Sequence, residues 1–152
     1  MDTTIYLAAA VILVLLLIAF FVFKNRQSYQ IKIMNEYRRK HHLGPLKAYH
    51  QLDRFAREHS RYMARHRACN HDRFPDRSAR VMQVTGAAFV GENCYMYPSP
   101  TYDKYTDIRL VEGWMESPDH RANILNPRYS RIGIGVVIKE RRVYATQIFC
   151  SE

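Results

Sequence analysis

Cysteine is scarce in this chain, and the spacings that would give it a metal-binding or redox role are missing. Among 152 residues there are three cysteines, Cys69, Cys94 and Cys150, and no two of them are spaced C-x-x-C. The spacing therefore indicates neither a zinc ribbon nor a redox-active dithiol. Three thiols allow at most one internal disulfide, and this count does not fix the redox compartment.

The common motifs of hydrolytic enzymes and nucleic-acid-binding proteins are also missing. The sequence has no H-E-x-x-H zinc motif, no G-x-S-x-G nucleophile motif and no internal repeat. The formal net charge is +9, but lysine and arginine are dispersed among acidic residues, so we expect no nucleic-acid partner. A basic domain would still be attracted to anionic lipid headgroups.

Charge is absent from the N-terminal run at residues 5–23, which is apolar almost throughout. A helix of this length spans roughly 30 Å, the thickness of a bilayer core. A cleaved signal peptide would need a basic segment before the run and a small-residue cleavage site after it, and neither is present. The sequence predicts a single-pass transmembrane anchor with a juxtamembrane link at residues 1–27, and one domain at residues 28–152.

The charges beside this run predict its orientation. Lys24, Arg26 and Lys32 follow the run, whereas only Asp2 and the α-amino group precede it. By the positive-inside rule, this asymmetry places the domain in the cytoplasm.

Hydrophobic periodicity predicts three main helices and a C-terminal β-hairpin within the domain. The helices are expected at residues 28–41, 51–66 and 104–116, the strands at 131–138 and 143–149, and residues 78–84 fit a short helix. In the second helix, His59 falls on the apolar stripe with Phe55 and Met63, so it is expected to be a packed core residue and not a ligand.

Four segments, in this order, carry a family signature. They are N-E-Y-R at 35–38 with G-P-L at 44–46, N-H-D at 70–72, G-E-N at 91–93, and a block at 114–127 that continues through I-G-I-G at 132–135 to T-Q-I-F at 146–149. They resemble the CAP superfamily (cysteine-rich secretory proteins, antigen-five allergens and pathogenesis-related proteins; the SCP-like extracellular domain), in its bacterial and archaeal branch. The pattern W-x-x-S-P-x-H-R-x-N-I-L from Trp114 is long and specific, and the resemblance covers residues 28–150.

The resemblance implies an α+β fold, a three-layer α-β-α sandwich with a central antiparallel sheet. It also implies a cleft lined by two histidines and acidic residues. Carried over position by position, the histidines are His71 and His120, and the first acid is Glu92. Such a cleft would bind a divalent, zinc-like cation, with Glu92 supporting one histidine from behind.

Two residues are candidates for the second acid of the cleft. Relatives place it three residues after the tryptophan, where this chain has Ser117, and the nearby carboxylates are Glu116 and Glu112. Glu116 would share a face with His120 if the helix reached residue 120, but we expect Pro118 to end the helix first. Glu116 is therefore favoured only slightly over Glu112.

A Cys69–Cys94 disulfide would fit this cleft, because the two cysteines flank His71 and Glu92 in the sequence. Cys150 competes for either partner.

Three functions fit the sequence. The first is a membrane-anchored, non-enzymatic module that binds a lipid, a cell-envelope component or another protein, as some relatives do. The second is a metal-dependent, peptidase-like hydrolase with Glu92, Glu116 and His120 as candidate catalytic groups, and the third is a structural tether without a ligand. The binding module is favoured, because Ser117 is the only candidate nucleophile near a base. The family is mostly secreted or surface-exposed, which implies an extracytoplasmic domain, against the positive-inside rule.

Overall fold

The computed structural model describes the backbone of residues 3–152, without the side chains of residues 3, 4, 19–21, 23–26 and 104. Within this range the chain forms five helices and four strands. In chain order they are α1 (Thr3–Lys40), β1 (Lys47–Ala48), α2 (His50–His66), α3 (Phe74–Thr85), β2 (Val90–Pro98), α4 (Lys104–Glu116), α5 (Pro118–Ile124), β3 (Arg131–Lys139) and β4 (Arg142–Cys150).

Periodicity located α2, α4 and the β3–β4 hairpin correctly, and these three predictions are confirmed. The predicted helix at 28–41 is the C-terminal part of the longer α1, and α3 begins four residues before the predicted 78–84. Helix α5 was not predicted. Pro118 does end α4, but it also opens α5, because proline is well tolerated at the first helical position.

The sheet has the strand order β1-β3-β4-β2. Strand β2 lies at one edge and pairs antiparallel with β4, from Val90 opposite Cys150 to Pro98 opposite Arg142. At the other edge, the two residues of β1 pair parallel to β3, unlike the antiparallel sheet expected from the family. The reason is the connection: β1 reaches β3 through four helices and β2, and no hairpin turn joins them.

Helices cover both faces of the sheet, so the predicted α-β-α sandwich is confirmed. Helices α1, α4 and α5 pack on one face, where Met34, Trp114 and Ile124 meet Ile134 and Phe149. Helices α2 and α3 pack on the other face, in a smaller cluster formed by Leu52, Phe55, Ala56, Val81, Ala87, Ile148 and Cys150.

Helix α2 lies unusually close to β3 because that strand carries two glycines. A Cβ atom added at Gly135 would collide with the backbone of Ala56 and Arg57, and one added at Gly133 would collide with Leu52. Ser60 Oγ also donates a hydrogen bond to Gly135 O, at 2.9 Å. The absence of side chains at these positions therefore sets the spacing between helix and sheet.

Arg38, from the first signature segment, joins the end of α1 to the loops around α5. Its side chain is 1% exposed and donates four hydrogen bonds to carbonyl oxygens, those of Gly44 and Ile124 at 2.7 Å and of Asn126 and Tyr129 at 3.0 Å. Burial lowers the pKa of this guanidinium. Because the four carbonyls depend on Arg38 as a donor, this residue fixes α5 relative to α1.

The N-terminal part of α1 extends beyond the domain. The large apolar side chains at residues 5–18 are 49–69% exposed and contribute nothing to the core clusters of the described residues, so the domain from Gln27 onward keeps its core contacts without them. A search of the described residues finds no helix long and apolar enough to cross a membrane, and the predicted transmembrane helix is not supported. Part of that prediction, at residues 19–21 and 23–26, lies outside the described side chains, and residues 5–18 alone are shorter than the roughly 20 residues that a span requires.

Gly135→Ala is expected to destabilise the domain by about 3 kcal/mol, because the new methyl group must push α2 away from β3. Gly44→Ala is the matched control, since an added Cβ there meets nothing within 4 Å. Urea denaturation followed by circular dichroism measures both changes. Equal free energies of unfolding for the two variants would contradict the close packing of α2 on β3.

Candidate functional site

The candidate site is built around the buried carboxylate of Glu92 on β2. Its side chain is 1% exposed and faces α3, where Arg77 forms a two-pronged ion pair with it. Arg77 Nε donates to Glu92 Oε2 at 2.6 Å, and Arg77 Nη2 donates to Oε1 at 2.7 Å. Arg77 Nη1 also donates to the carbonyl of Asp72 at 3.1 Å, so one guanidinium connects α3, β2 and the loop before α3.

His71 binds to the same carboxylate from that loop. Its Nδ1 lies 2.9 Å from Glu92 Oε1. Because an ionised carboxylate only accepts hydrogen bonds, Nδ1 carries the hydrogen and the neutral ring keeps its lone pair on Nε2. The side chain of His71 is 51% exposed, so Glu92 holds the ring of a histidine that solvent reaches.

The environment of Glu92 keeps it ionised. Burial raises the pKa of this carboxyl, but hydrogen bonds from His71 and Arg77 and the charge of Arg77 outweigh burial and hold the pKa below its ordinary value. With a side chain that is 1% exposed, Glu92 cannot contact a substrate from solvent. Its position suits the orientation of His71, and it does not suit general-base catalysis.

His120 reaches the site from α5, which two asparagines hold against β2. Asn93 Nδ2 donates to the carbonyl of His120 at 3.0 Å, and Asn123 Nδ2 donates to Asn93 Oδ1 at 2.8 Å and to Glu92 O at 3.2 Å. Burial lowers the pKa of His120, and the neighbouring His71 lowers it further. The two imidazoles predicted from the sequence are therefore near enough to interact.

The Nδ1 atom of His120 is buried and lacks a hydrogen-bond partner among the described residues. Such an atom normally finds a partner, because leaving a buried polar group unpaired costs about 1–3 kcal/mol. The site thus contains one imidazole whose hydrogen bonding is complete at Nδ1 and a second imidazole whose Nδ1 is unsatisfied.

The two alternative acids, Glu112 and Glu116, lie on the exposed side of α4. Helix α4 ends at Glu116 and α5 begins at Pro118, so Glu116 and His120 belong to different helices, as Pro118 led us to expect. Both carboxylates line a depression of about 350 Å³. Among the described side chains, no hydrogen bond or ion pair joins either of them to His71 or His120.

Sequence reasoning missed Arg77 as a contact of this site. It expected His59 only as a core residue, and Cys94 only as a possible disulfide partner. One feature of the sequence could have indicated Arg77: it lies four residues before Val81, which is buried on the inner face of α3. The ligand atoms of His59, Glu92 and Cys94 lie within 4.8 Å of one another, a grouping that could hold a metal ion.

In the structure, hydrogen bonds to other residues already occupy the ligand atoms of His59 and Glu92. His59 is buried, as its place on the apolar stripe predicted, and its Nε2 lies 2.8 Å from the carbonyl of Asn70 and therefore carries the hydrogen. Burial lowers the pKa of His59. A metal ion here would have to displace both this bond and Arg77.

All three cysteines are free thiols, so the structure contains no Cys69–Cys94 bond and that pairing stays a prediction. Cys94 Sγ lies 3.6 Å from His71 Nδ1. Burial raises the pKa of both Cys94 and Cys69, and the charge of Glu92 raises each further, so both stay protonated at neutral pH.

Glu92→Gln is expected to destabilise the domain by about 3 kcal/mol at pH 7, because it leaves the Arg77 charge buried without a counter-charge. The native pKa of Glu92 is lowered, so its contribution is complete above the unfolded-state pKa of about 4.3 and is lost as the pH falls through the native value. The difference in free energy of unfolding between wild type and variant should therefore become smaller below about pH 4.3. Urea denaturation at several pH values measures it.

Glu58→Gln is the control for this experiment, since Glu58 forms exposed ion pairs with Arg54 and Arg80. We expect this variant to change the free energy of unfolding by less than about 0.5 kcal/mol, and this change does not depend on Arg77. If the two glutamine variants were equally stable, Glu92 would not hold the site together.

Three comparisons with known proteins bear on the family and the fold of this chain. The uncharacterized protein YkwD of Bacillus subtilis (strain 168) is 31% identical over 110 residues, which cover 70% of this chain and 40% of YkwD. An extracellular protein containing an SCP domain from Bacillus anthracis str. Ames has 25% identity and a TM-score of 0.63, over 82% of this chain and 40% of that one. An outer surface protein from Borrelia burgdorferi, at 19% identity, shares the fold with a TM-score of 0.70, over 85% of this chain and 94% of that one.

The chain thus spans about 40% of the length of the curated relative that it matches. A sequence model described as the cysteine-rich secretory protein family, CAP, matches residues 31–150, which include all four signature segments. This chain belongs to the CAP family.

Proposed function

We propose that this chain is a membrane-attached, extracytoplasmic binding module whose His71 and His120 hold a divalent cation. One observation carries the proposal: a buried carboxylate, already neutralised by Arg77, fixes the Nδ1–H of His71 and leaves Nε2 with its lone pair. A carboxylate behind a metal-binding histidine is a recurrent arrangement, because it fixes the tautomer and makes the other nitrogen a better ligand.

The second imidazole supports the same interpretation. Burial and the neighbouring His71 favour the neutral form of His120, which is the form that binds metal ions. Its Nδ1 lacks a partner among the described residues, and a cation or a cation-bound water would supply one. Two imidazoles and water suit a weak, exchangeable zinc-like ion, which would act as a Lewis acid towards an oxygen-bearing ligand.

The acidic residues favour binding over hydrolysis. Glu92 is shielded from solvent, and Glu112 and Glu116 line a separate depression with Tyr37 and Arg121. None of these three carboxylates is therefore placed to activate a water molecule between the two histidines. We propose a cell-envelope component, a lipid or a protein as the ligand, in line with the names of the similar proteins, of which one is called extracellular and one an outer surface protein.

The exposed part of α1 supports attachment to a membrane. Its side chains at residues 5–18 are apolar on every side of the helix and 49–69% exposed. Keeping them in water costs roughly 25 cal/mol for each Å² of apolar surface, and a bilayer would remove this cost. The apolar sequence continues to residue 23.

The domain from Gln27 onward is expected to bind zinc in a calorimetric titration, and His71→Ala and His120→Ala are each expected to weaken binding at least about tenfold. His50→Ala is the control, because His50 is an exposed histidine that contacts Asp53 on α2, away from the site. Isotherms that are unchanged in both site variants would exclude the proposed cation site.

The full chain is expected to stay with bilayers during extraction with alkaline carbonate. Leu13→Glu with Leu16→Glu should release it, because each charge in an apolar helix costs about 2.5–3.5 kcal/mol on insertion. Leu13→Ile with Leu16→Ile is the control and should stay bound. Complete extraction of the wild-type chain would rule out attachment through α1.

A further inference from the structure

We propose that the end of the domain from which α1 emerges is a docking surface for anionic phospholipid headgroups. We call this end the basic tip, and the proposal rests on the membrane attachment proposed above. The basic tip consists of Lys139, Arg141 and Arg142 of the β3–β4 hairpin together with Arg61, Arg65 and Arg67 of α2.

The two elements of the basic tip come together because α2 runs alongside β3. Near its beginning α2 contacts Gly133 and then Gly135, and just past its end Arg67 Nε lies 2.7 Å from Glu140 Oε2 at the hairpin turn. Arg61, Arg65 and Lys139 line one depression of about 500 Å³, whose floor includes Ala64 and Val137. Positive charge from both elements therefore surrounds an open, partly apolar hollow.

Helix α1 leaves the domain at the same end. Its C-terminal part is held at the opposite end of the sheet, where Arg38 binds the carbonyl of Tyr129 just before β3. Eight residues earlier, Gln30 Nε2 donates to Tyr102 Oη at 3.1 Å. The loop that carries Tyr102 is joined to the hairpin turn by the backbone hydrogen bond from Ser99 N to Arg141 O, at 2.8 Å. Residues 5–18 therefore extend from the end that carries the basic tip.

Few acidic groups oppose the positive charge at the hairpin side of the basic tip, whereas Arg65 also lines a depression with Asp72 and Asp76. Glu140 is paired with Arg67 and lies 4.0 Å from Lys139 Nζ, and Glu58, which also lines the depression, is paired with Arg54. In the part of the chain that the structure describes, no carboxylate forms an ion pair with the exposed Arg141 or Arg142. The tip is complementary in charge to a surface of phosphodiester groups.

The hairpin turn carries charged residues where such turns usually have asparagine and glycine. Glu140 and Arg141 form a two-residue turn and both adopt left-handed backbone angles, with φ of 50° and 58°. Such turns strongly prefer Asn-Gly, since long side chains are strained there. The turn presents charged side chains at the place where asparagine and glycine would be less strained.

Docking of the tip would orient the candidate cation site. Glu92 lies six residues along β2 from Pro98, which pairs with Arg142 at the tip. At about 3.3 Å per strand residue this distance is about 20 Å, or about two and a half Debye lengths at physiological ionic strength. Glu92 would then be held back from the headgroups that contact the hairpin turn.

Vesicle sedimentation of the domain from Gln27 onward tests the basic tip without the apolar part of α1. We expect the domain to bind vesicles of 30% phosphatidylglycerol in phosphatidylcholine at low salt, and not pure phosphatidylcholine. Each basic residue at an anionic surface contributes roughly fivefold to partitioning, so Arg141→Gln with Arg142→Gln should weaken binding about 25-fold. Circular dichroism confirms that the variant is folded.

The matched control removes two positive charges from the opposite end of the domain, at Arg39 and Lys40 of α1, by substitution with glutamine. We expect this control to bind within about twofold of the wild-type domain, because those charges face away from the bilayer. An equal loss in both double variants, or no preference for phosphatidylglycerol in the wild-type domain, overturns the proposal.

The full chain separates this proposal from the membrane attachment through α1. The full chain should bind vesicles of pure phosphatidylcholine through residues 5–18, which the tip substitutions do not touch. Failure of the full chain to bind them would refute the attachment, whereas failure of the domain on phosphatidylglycerol would refute only the basic tip.

Discussion

The buried carboxylate of Glu92 is the constraint on which the site and much of one face of the sheet depend. A charge in a side chain that is 1% exposed must be neutralised inside the protein, and Arg77 does this with two short hydrogen bonds. That ion pair fixes α3 against β2. Glu92 Oε1 accepts a further hydrogen bond, and this bond holds His71. Stability and the orientation of a potential metal ligand therefore depend on the same residue.

The other half of the site depends on hydrogen bonds to backbone carbonyls. Arg38 fixes the segment around α5 to α1, and Asn93 and Asn123 fix α5 to β2. These contacts bring His120 beside the loop that carries His71, although the two residues are far apart in the sequence. The two histidines lie near each other because the core holds the elements that carry them. No direct bond between the two rings is needed.

The two ends of the domain differ in chemistry. One end carries the neutral and paired groups around Glu92, and the other carries exposed arginines beside the emerging apolar helix. If the helix and the basic tip both contact a bilayer, Glu92 lies roughly 20 Å along β2 from the hairpin turn that contacts it. In the proposed function, this separation suits a module that binds envelope material next to a membrane.

Short-range patterns in the sequence were enough to predict α2, α4, the hairpin and the burial of His59, because side-chain periodicity directly reflects which face is buried. The motifs were enough to identify the family and to select His71, Glu92 and His120. The tertiary structure alone decided that Glu92 is shielded by Arg77, that Glu116 lies on a different helix from His120, and that α1 leaves beside the basic tip. Each of these depends on contacts between residues distant in the chain, and such contacts are set by how helices pack on the sheet and not by local propensity.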